Sequence, residues 1–106
     1  MNESAARTAN ERFVARATSE RVQSKQRVPL VCECADPGCR ELVMLGIDDY
    51  HRIRSHPARF LLAAGHEDEV AHERVIEAEN GYAIVEKHGT AGREAARLDP
   101  RAADNQ

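Results

Sequence analysis

Apolar and polar positions change their spacing several times along the chain, and each change marks an expected element. Residues 3–26 contain no Gly or Pro and are rich in Ala, Arg, Glu and Gln, which favours helix. Phe13, Val14, Ala17 and Val22 form only an incomplete stripe, so this helix reads as a solvated N-terminal arm. Pro29 closes it. Leu30-Val31-Cys32-Glu33-Cys34 reads as a short strand, and Glu41-Leu42-Val43-Met44-Leu45 as its returning partner. Between them, Asp36-Pro37-Gly38 predicts a type II turn, with Pro at the first central position and Gly taking the positive φ of the second. Gly46 breaks the second strand. Residues 47–56 predict a short helix with Asp48 and Asp49 in its first turn, Ile47, Tyr50 and Ile53 facing inward, and Pro57 ending it. Phe60-Leu61-Leu62-Ala63-Ala64 is short enough to be a buried strand, ended by Gly65, which presents His66. Two β-type runs, 73–79 and 82–87, flank Asn80-Gly81, the signature of a type I′ hairpin turn. Thr90 is the expected N-cap of a last helix over residues 91–98, which Gly92 weakens and Asp99-Pro100 ends.

The resulting order is helix, strand, strand, helix, strand, strand, strand, helix. It predicts an α+β fold with a small, mainly antiparallel sheet, a zinc-knuckle-like hairpin, short helices and an N-terminal helical arm. The expected organisation is a helical arm over residues 1–27, a metal-binding α+β domain over 28–99 and a disordered tail over 100–106. With 106 residues, 31% of them charged and 4% aromatic, the core must be small and the stability margin thin. A structural metal would therefore carry weight. The net charge of −3 argues against a non-specific nucleic-acid binder, which needs a basic surface to displace counterions. No basic start followed by an apolar run opens the sequence, and no apolar run nears the roughly 20 residues that span a bilayer. The expectation is a cytoplasmic protein without a membrane partner.

In that setting clustered cysteines bind metal or do redox chemistry more often than they form structural disulfides. All three cysteines lie in Cys32-Glu33-Cys34-Ala35-Asp36-Pro37-Gly38-Cys39, and an odd number cannot pair fully within one chain. In an extended segment Cys32 and Cys34 point to one face and Glu33 to the other. Full extension holds the two sulfurs rather far apart, so some distortion near Glu33 is required. The turn brings Cys39 towards them. Three thiolates need a cation, and zinc takes four soft or borderline ligands at tetrahedral corners. A neutral imidazole completes a Cys₃His set. His51, His56, His72 and His88 read as surface residues, whereas His66 follows a buried strand and a Gly and is the expected fourth ligand. Failing these, a water, Asp36 or a second chain would complete the shell. Zinc is the default over iron. Two alternatives use the same cysteines: a thiol-based redox sensor that forms a reversible disulfide, and small apolar side chains on a strand. No catalytic motif stands out. His66-Glu67 begins like H-E-x-x-H, but position 70 is Val70. The reading is a non-enzymatic interaction or regulatory module. The basic side chains of the N-terminal helix permit an acidic protein partner there, or pairing with a second copy as a homodimer.

The stretch from Val31 to Pro100 resembles a group of short, uncharacterised bacterial proteins. The motifs that carry the resemblance are Cys32-Glu33-Cys34 with Cys39, Asp48-Asp49-Tyr50, His56-Pro57-Ala58-Arg59-Phe60, Gly65-His66-Glu67, Ile84-Val85-Glu86-Lys87 and Asp99-Pro100-Arg101. It implies Cys32, Cys34, Cys39 and His66 as the shared site and supports the architecture, but it brings no activity. The sequence departs from the group at Gly46, where a Thr cap is usual, and at Ala64, where Pro is common.

Overall fold

A computed structural model describes residues 2–68 and 72–105. Val70, and with it part of the polar connection read over 67–71, lies outside the described residues. The elements run α1 (Glu3–Ser19), β1 (Arg27–Val31), β2 (Leu42–Gly46), α2 (Ile47–Arg54), β3 (Arg59–Ala63), β4 (Glu73–Glu79), β5 (Tyr82–Lys87), α3 (Gly89–Arg97) and a 3₁₀ helix over Pro100–Asn105. The fold is α+β, as the sequence predicts. All strand pairing is antiparallel, but it forms two sheets, β1–β2 and β3–β5–β4. Between them lies one core, built on Leu30, Val43, Leu45, Tyr50, Leu61 and Val85. Among the described residues no helix is long and apolar enough to cross a membrane.

The N-terminal helix corrects two expectations. It stops at Ser19, and Arg21, at φ 62°, turns the chain towards β1. Its inner face is also not solvated, because Ala6, Arg7, Asn10 and Val14 are all buried. That stripe has helical spacing, but half of it is polar, so a count of apolar residues does not see it. Arg7 donates to the carbonyls of Pro57 (2.8 Å) and Ala95 (2.7 Å) and lies 4.5 Å from the centre of the Phe60 ring. The guanidinium thus ties α1 to the end of α2 and to α3. Asn2 caps the helix by accepting from the Ala5 N–H at 2.8 Å.

Helix α2 buries Ile47, Tyr50 and Ile53 as expected, and Arg54 with them. Arg54 pairs with Asp99 and, at 3.3 Å, with Glu11. Two turns and one helix start differ from expectation. At Asp36-Pro37-Gly38 the Cys39 N–H donates to the Asp36 carbonyl at 3.1 Å, but Gly38 does not take the positive φ of a type II turn. At Asn80-Gly81 only Gly81 has positive φ, at 91°, so the turn is not type I′. Helix α3 starts at Gly89 with His88 as its N-cap, in place of Thr90. Residues 100–105, expected as disordered, form the 3₁₀ helix, and Arg101 there pairs with Glu11 at 3.0 Å.

Candidate metal centre

The chain leaves β1 at Val31, and the next three residues cross from one sheet to the other. The Cys32 N–H still donates to the Glu41 carbonyl at 3.0 Å, whereas the Glu33 N–H donates to Leu61 of β3 at 2.7 Å. This departure from the β1–β2 ladder supplies the distortion that two neighbouring ligating sulfurs require. Cys39 follows the turn at Asp36, which Gly38 tightens by donating to the Asp36 carboxylate at 2.9 Å. On the far side β3 ends at Ala63, and Gly65, at φ 85°, reverses the chain so that the His66 N–H donates to the Ala63 carbonyl at 3.1 Å. Only Gly adopts that backbone without strain.

These local choices bring all four expected residues together. The Cys32, Cys34 and Cys39 sulfurs and a ring nitrogen of His66 lie within 4.8 Å of one another. His66 Nδ1 is 3.6 Å from the sulfur of Cys32 and 3.6 Å from that of Cys39. A tetrahedral zinc, with bonds of about 2.3 Å to sulfur and about 2.05 Å to nitrogen, sets sulfur and nitrogen about 3.6 Å apart. The donor set and its spacing therefore fit a metal ion. All three cysteines are free thiols, so no disulfide competes for them. Burial pushes the Cys32 thiol up to about 12 and raises that of Cys34 as well. Burial alone thus favours neutral sulfur, and thiolates here need positive charge among them. The Ala63 N–H, donating to the Cys32 sulfur at 3.1 Å, supplies part of it.

The other histidines, His51, His56, His72 and His88, are exposed and lie outside the cluster. His51 Nδ1 sits 2.9 Å from the Arg101 guanidinium, and the His72 and His88 rings meet edge to face at 5.9 Å. Asp36 spends its carboxylate on the turn and is also outside the set.

Two residues that sequence reasoning passed over support the site. Glu41 Oε1 lies 3.5 Å from His66 Nε2, on the side of the ring away from the sulfurs. A carboxylate there favours the proton on Nε2 and leaves Nδ1 free as a donor to metal. Glu33 faces away from the sulfurs, as alternation predicts, but it is fully buried. Its Oε2 accepts from Asn10 Nδ2 (2.7 Å) and the Tyr50 hydroxyl (2.8 Å), and its Oε1 from the Leu61 N–H (2.9 Å). Burial raises the Glu33 carboxyl, and these hydrogen bonds together with Arg54 oppose the rise. One carboxylate between two cysteines thus joins α1, α2 and β3. A sequence signal existed for Glu41 in its position just past Cys39. None existed for the Glu33 partners, which are distant in the chain.

Comparison with known protein families, with curated proteins and with solved structures finds no match.

Proposed function

We propose that this chain is a small zinc-stabilised domain acting as an interaction or regulatory module, with Cys32, Cys34, Cys39 and His66 holding the ion in a structural Cys₃His site. The observation that carries the reading is the convergence of the four donor atoms within 4.8 Å, with His66 Nδ1 at 3.6 Å from the sulfurs of Cys32 and Cys39. Four protein ligands fill a tetrahedral shell and leave no position for water or substrate, which supports a structural role over catalysis. Thiolates with one imidazole suit zinc. Apparent binding energies for structural zinc of about 10–16 kcal/mol match or exceed the roughly 5–15 kcal/mol net stability of an ordinary domain. A core this small gains its rigidity from such an ion.

The test is metal analysis of protein purified without chelator or added metal. The expected result is about one zinc per chain, weaker retention in His66→Ala, and a lowered melting temperature with lost metal in Cys34→Ser. Absence of metal from freshly reduced wild type would overturn the zinc reading and favour the thiol-switch alternative. Release of metal on mild peroxide treatment, reversed by a reductant, would add a redox role to the same site.

A further inference from the structure

The three sulfurs of the candidate centre are not equivalent. Cys32 is buried, its N–H donates to the Glu41 carbonyl at 3.0 Å, and its sulfur accepts from the Ala63 N–H at 3.1 Å. The next residue, Glu33, is tied to β3 through its backbone N–H and to three donors through its carboxylate. Cys32 is thus pinned on both sides. Cys34 is buried too, but it follows the last of these bonds in the chain. It borders a cleft of about 250 Å³ lined also by Ala35, Asp36, Gly65, His66 and Asp68, which leaves it room to move.

Cys39 differs from both. It follows residues 35–38, all exposed, and is itself only half-buried. Its sulfur lies 3.6 Å from His66 Nδ1, and among the described residues no backbone N–H donates to it. A bound metal holds every ligating sulfur as thiolate, so exposure decides which of them an oxidant reaches first. Cys34 and Cys39 bracket the turn that Asp36 closes, and their sulfurs lie within 4.8 Å of each other.

We propose that Cys39 is the peroxide-reactive thiolate of the centre and Cys34 its resolving partner, so that oxidation closes a Cys34–Cys39 disulfide and opens the metal site. The inference rests on the metal reading and names the regulation of that site. The Cys39 thiolate attacks one oxygen of hydrogen peroxide. A sulfur–oxygen bond forms, the oxygen–oxygen bond breaks, and hydroxide leaves, giving a sulfenic acid. The Cys34 thiolate then attacks the Cys39 sulfur. The disulfide forms, the sulfur–oxygen bond breaks, and a second hydroxide leaves. The two sulfurs together lose two electrons, and the peroxide gains them. Cys32 and His66 are left as the remaining ligands, half of a tetrahedral shell. Resolution by Cys32 would instead pull that residue off its bonds to Ala63 and Glu41.

The test uses the wild-type chain, purified reduced and without chelator, and begins with its zinc content. Limiting N-ethylmaleimide is expected to modify Cys39 roughly tenfold faster than Cys32 or Cys34. A fresh sample is treated with hydrogen peroxide while released zinc is followed with a chelating dye. Remaining thiols are blocked with N-ethylmaleimide, and those recovered by reduction are labelled with iodoacetamide. Trypsin leaves all three cysteines on one peptide, residues 28–40, whose fragmentation locates each label. The expected result is maleimide on Cys32 and carbamidomethyl on Cys34 and Cys39, appearing in step with zinc release and reversed by a dithiol reductant with added zinc. Maleimide falling first on Cys32 or Cys34 overturns the proposal. So does carbamidomethyl on Cys32, sulfinic acid at Cys39 without a disulfide, or three blocked thiols with the zinc retained. In each of these cases one zinc per chain before treatment leaves the metal reading intact. A chain that holds no zinc at the first measurement refutes the metal reading, and this inference with it.

Discussion

Glu33 belongs at once to the candidate metal centre and to the fold. Its neighbours on either side are sulfur ligands of the candidate site, while its carboxylate takes three hydrogen bonds in the interior. Replacement by Ala takes the acceptor from the Tyr50 hydroxyl, from the Leu61 N–H and from one of the two Asn10 amide hydrogens, the other still being held by the Val31 carbonyl. The expected cost is roughly 3–5 kcal/mol in urea unfolding of the metal-loaded protein. Tyr50→Phe removes one donor and leaves the carboxylate served by two, so it is expected to cost about 1–2 kcal/mol. If Glu33→Ala cost no more than Tyr50→Phe, the carboxylate would not be the hub. The four cluster residues were legible in the sequence because soft donors are rare and three of them sit close together. The role of Glu33 was not, since nothing in the chain pairs position 33 with 10, 50 and 61. A buried acid is also an exception to the burial pattern on which sequence reading depends.

At the scale of elements, α1 shows how a polar helix can be integral. Its apolar stripe is incomplete because the buried face uses Arg7 and Asn10, which bond to carbonyls of distant segments. Deleting residues 1–19 would uncover Leu30 and strip Glu33 of Asn10. The shortened chain is expected to lose its cooperative thermal transition, whereas a solvated arm could be removed without effect. Helix α3 supplies a second case. By propensity, Gly92→Ala should stabilise it by about 1 kcal/mol. A Cβ at position 92, however, would stand 2.7 Å from the Lys87 carbonyl oxygen at the end of β5. The expected outcome is the opposite sign, a loss of about 1–3 kcal/mol in chemical denaturation. The later strands and α2 were readable because their periods and breakers are local, whereas β1 runs over Arg27–Val31, through Pro29, and not from Leu30 to Cys34 as read. The exact turn types were not, since the φ values at Gly38 and Asn80 depend on how the flanking strands meet.

For the whole molecule, two small sheets share one core, and the candidate metal centre sits where the chain passes between them. Ligands from the end of β1, from the following turn and from beyond β3 span both sheets. If the cluster holds an ion as proposed, removing it should therefore loosen the entire domain. A strong chelator is expected to lower the melting temperature by roughly 20 °C or more, since each kcal/mol is worth about 4–8 °C in a domain of this size. Thiolates and neutral imidazole bind metal only when deprotonated. The contribution of the ion is accordingly full near neutrality and lost as pH falls, and metal release followed with a chelating dye should track the fall in melting temperature. Melting that ignores both chelator and acid would place the stability elsewhere.

Asn10 has a consequence for how chains meet one another. Its side-chain amide donates to the Val31 carbonyl at 2.8 Å and accepts from the Val31 N–H at 2.8 Å. A single carboxamide thereby stands in for one residue of a neighbouring strand and seals that margin of β1. Unsealed strand margins template the addition of further chains. Asn10→Ala would leave the Val31 N–H and carbonyl without these partners and open that margin of β1. Such a variant should form thioflavin-positive aggregate well before wild type at equal concentration.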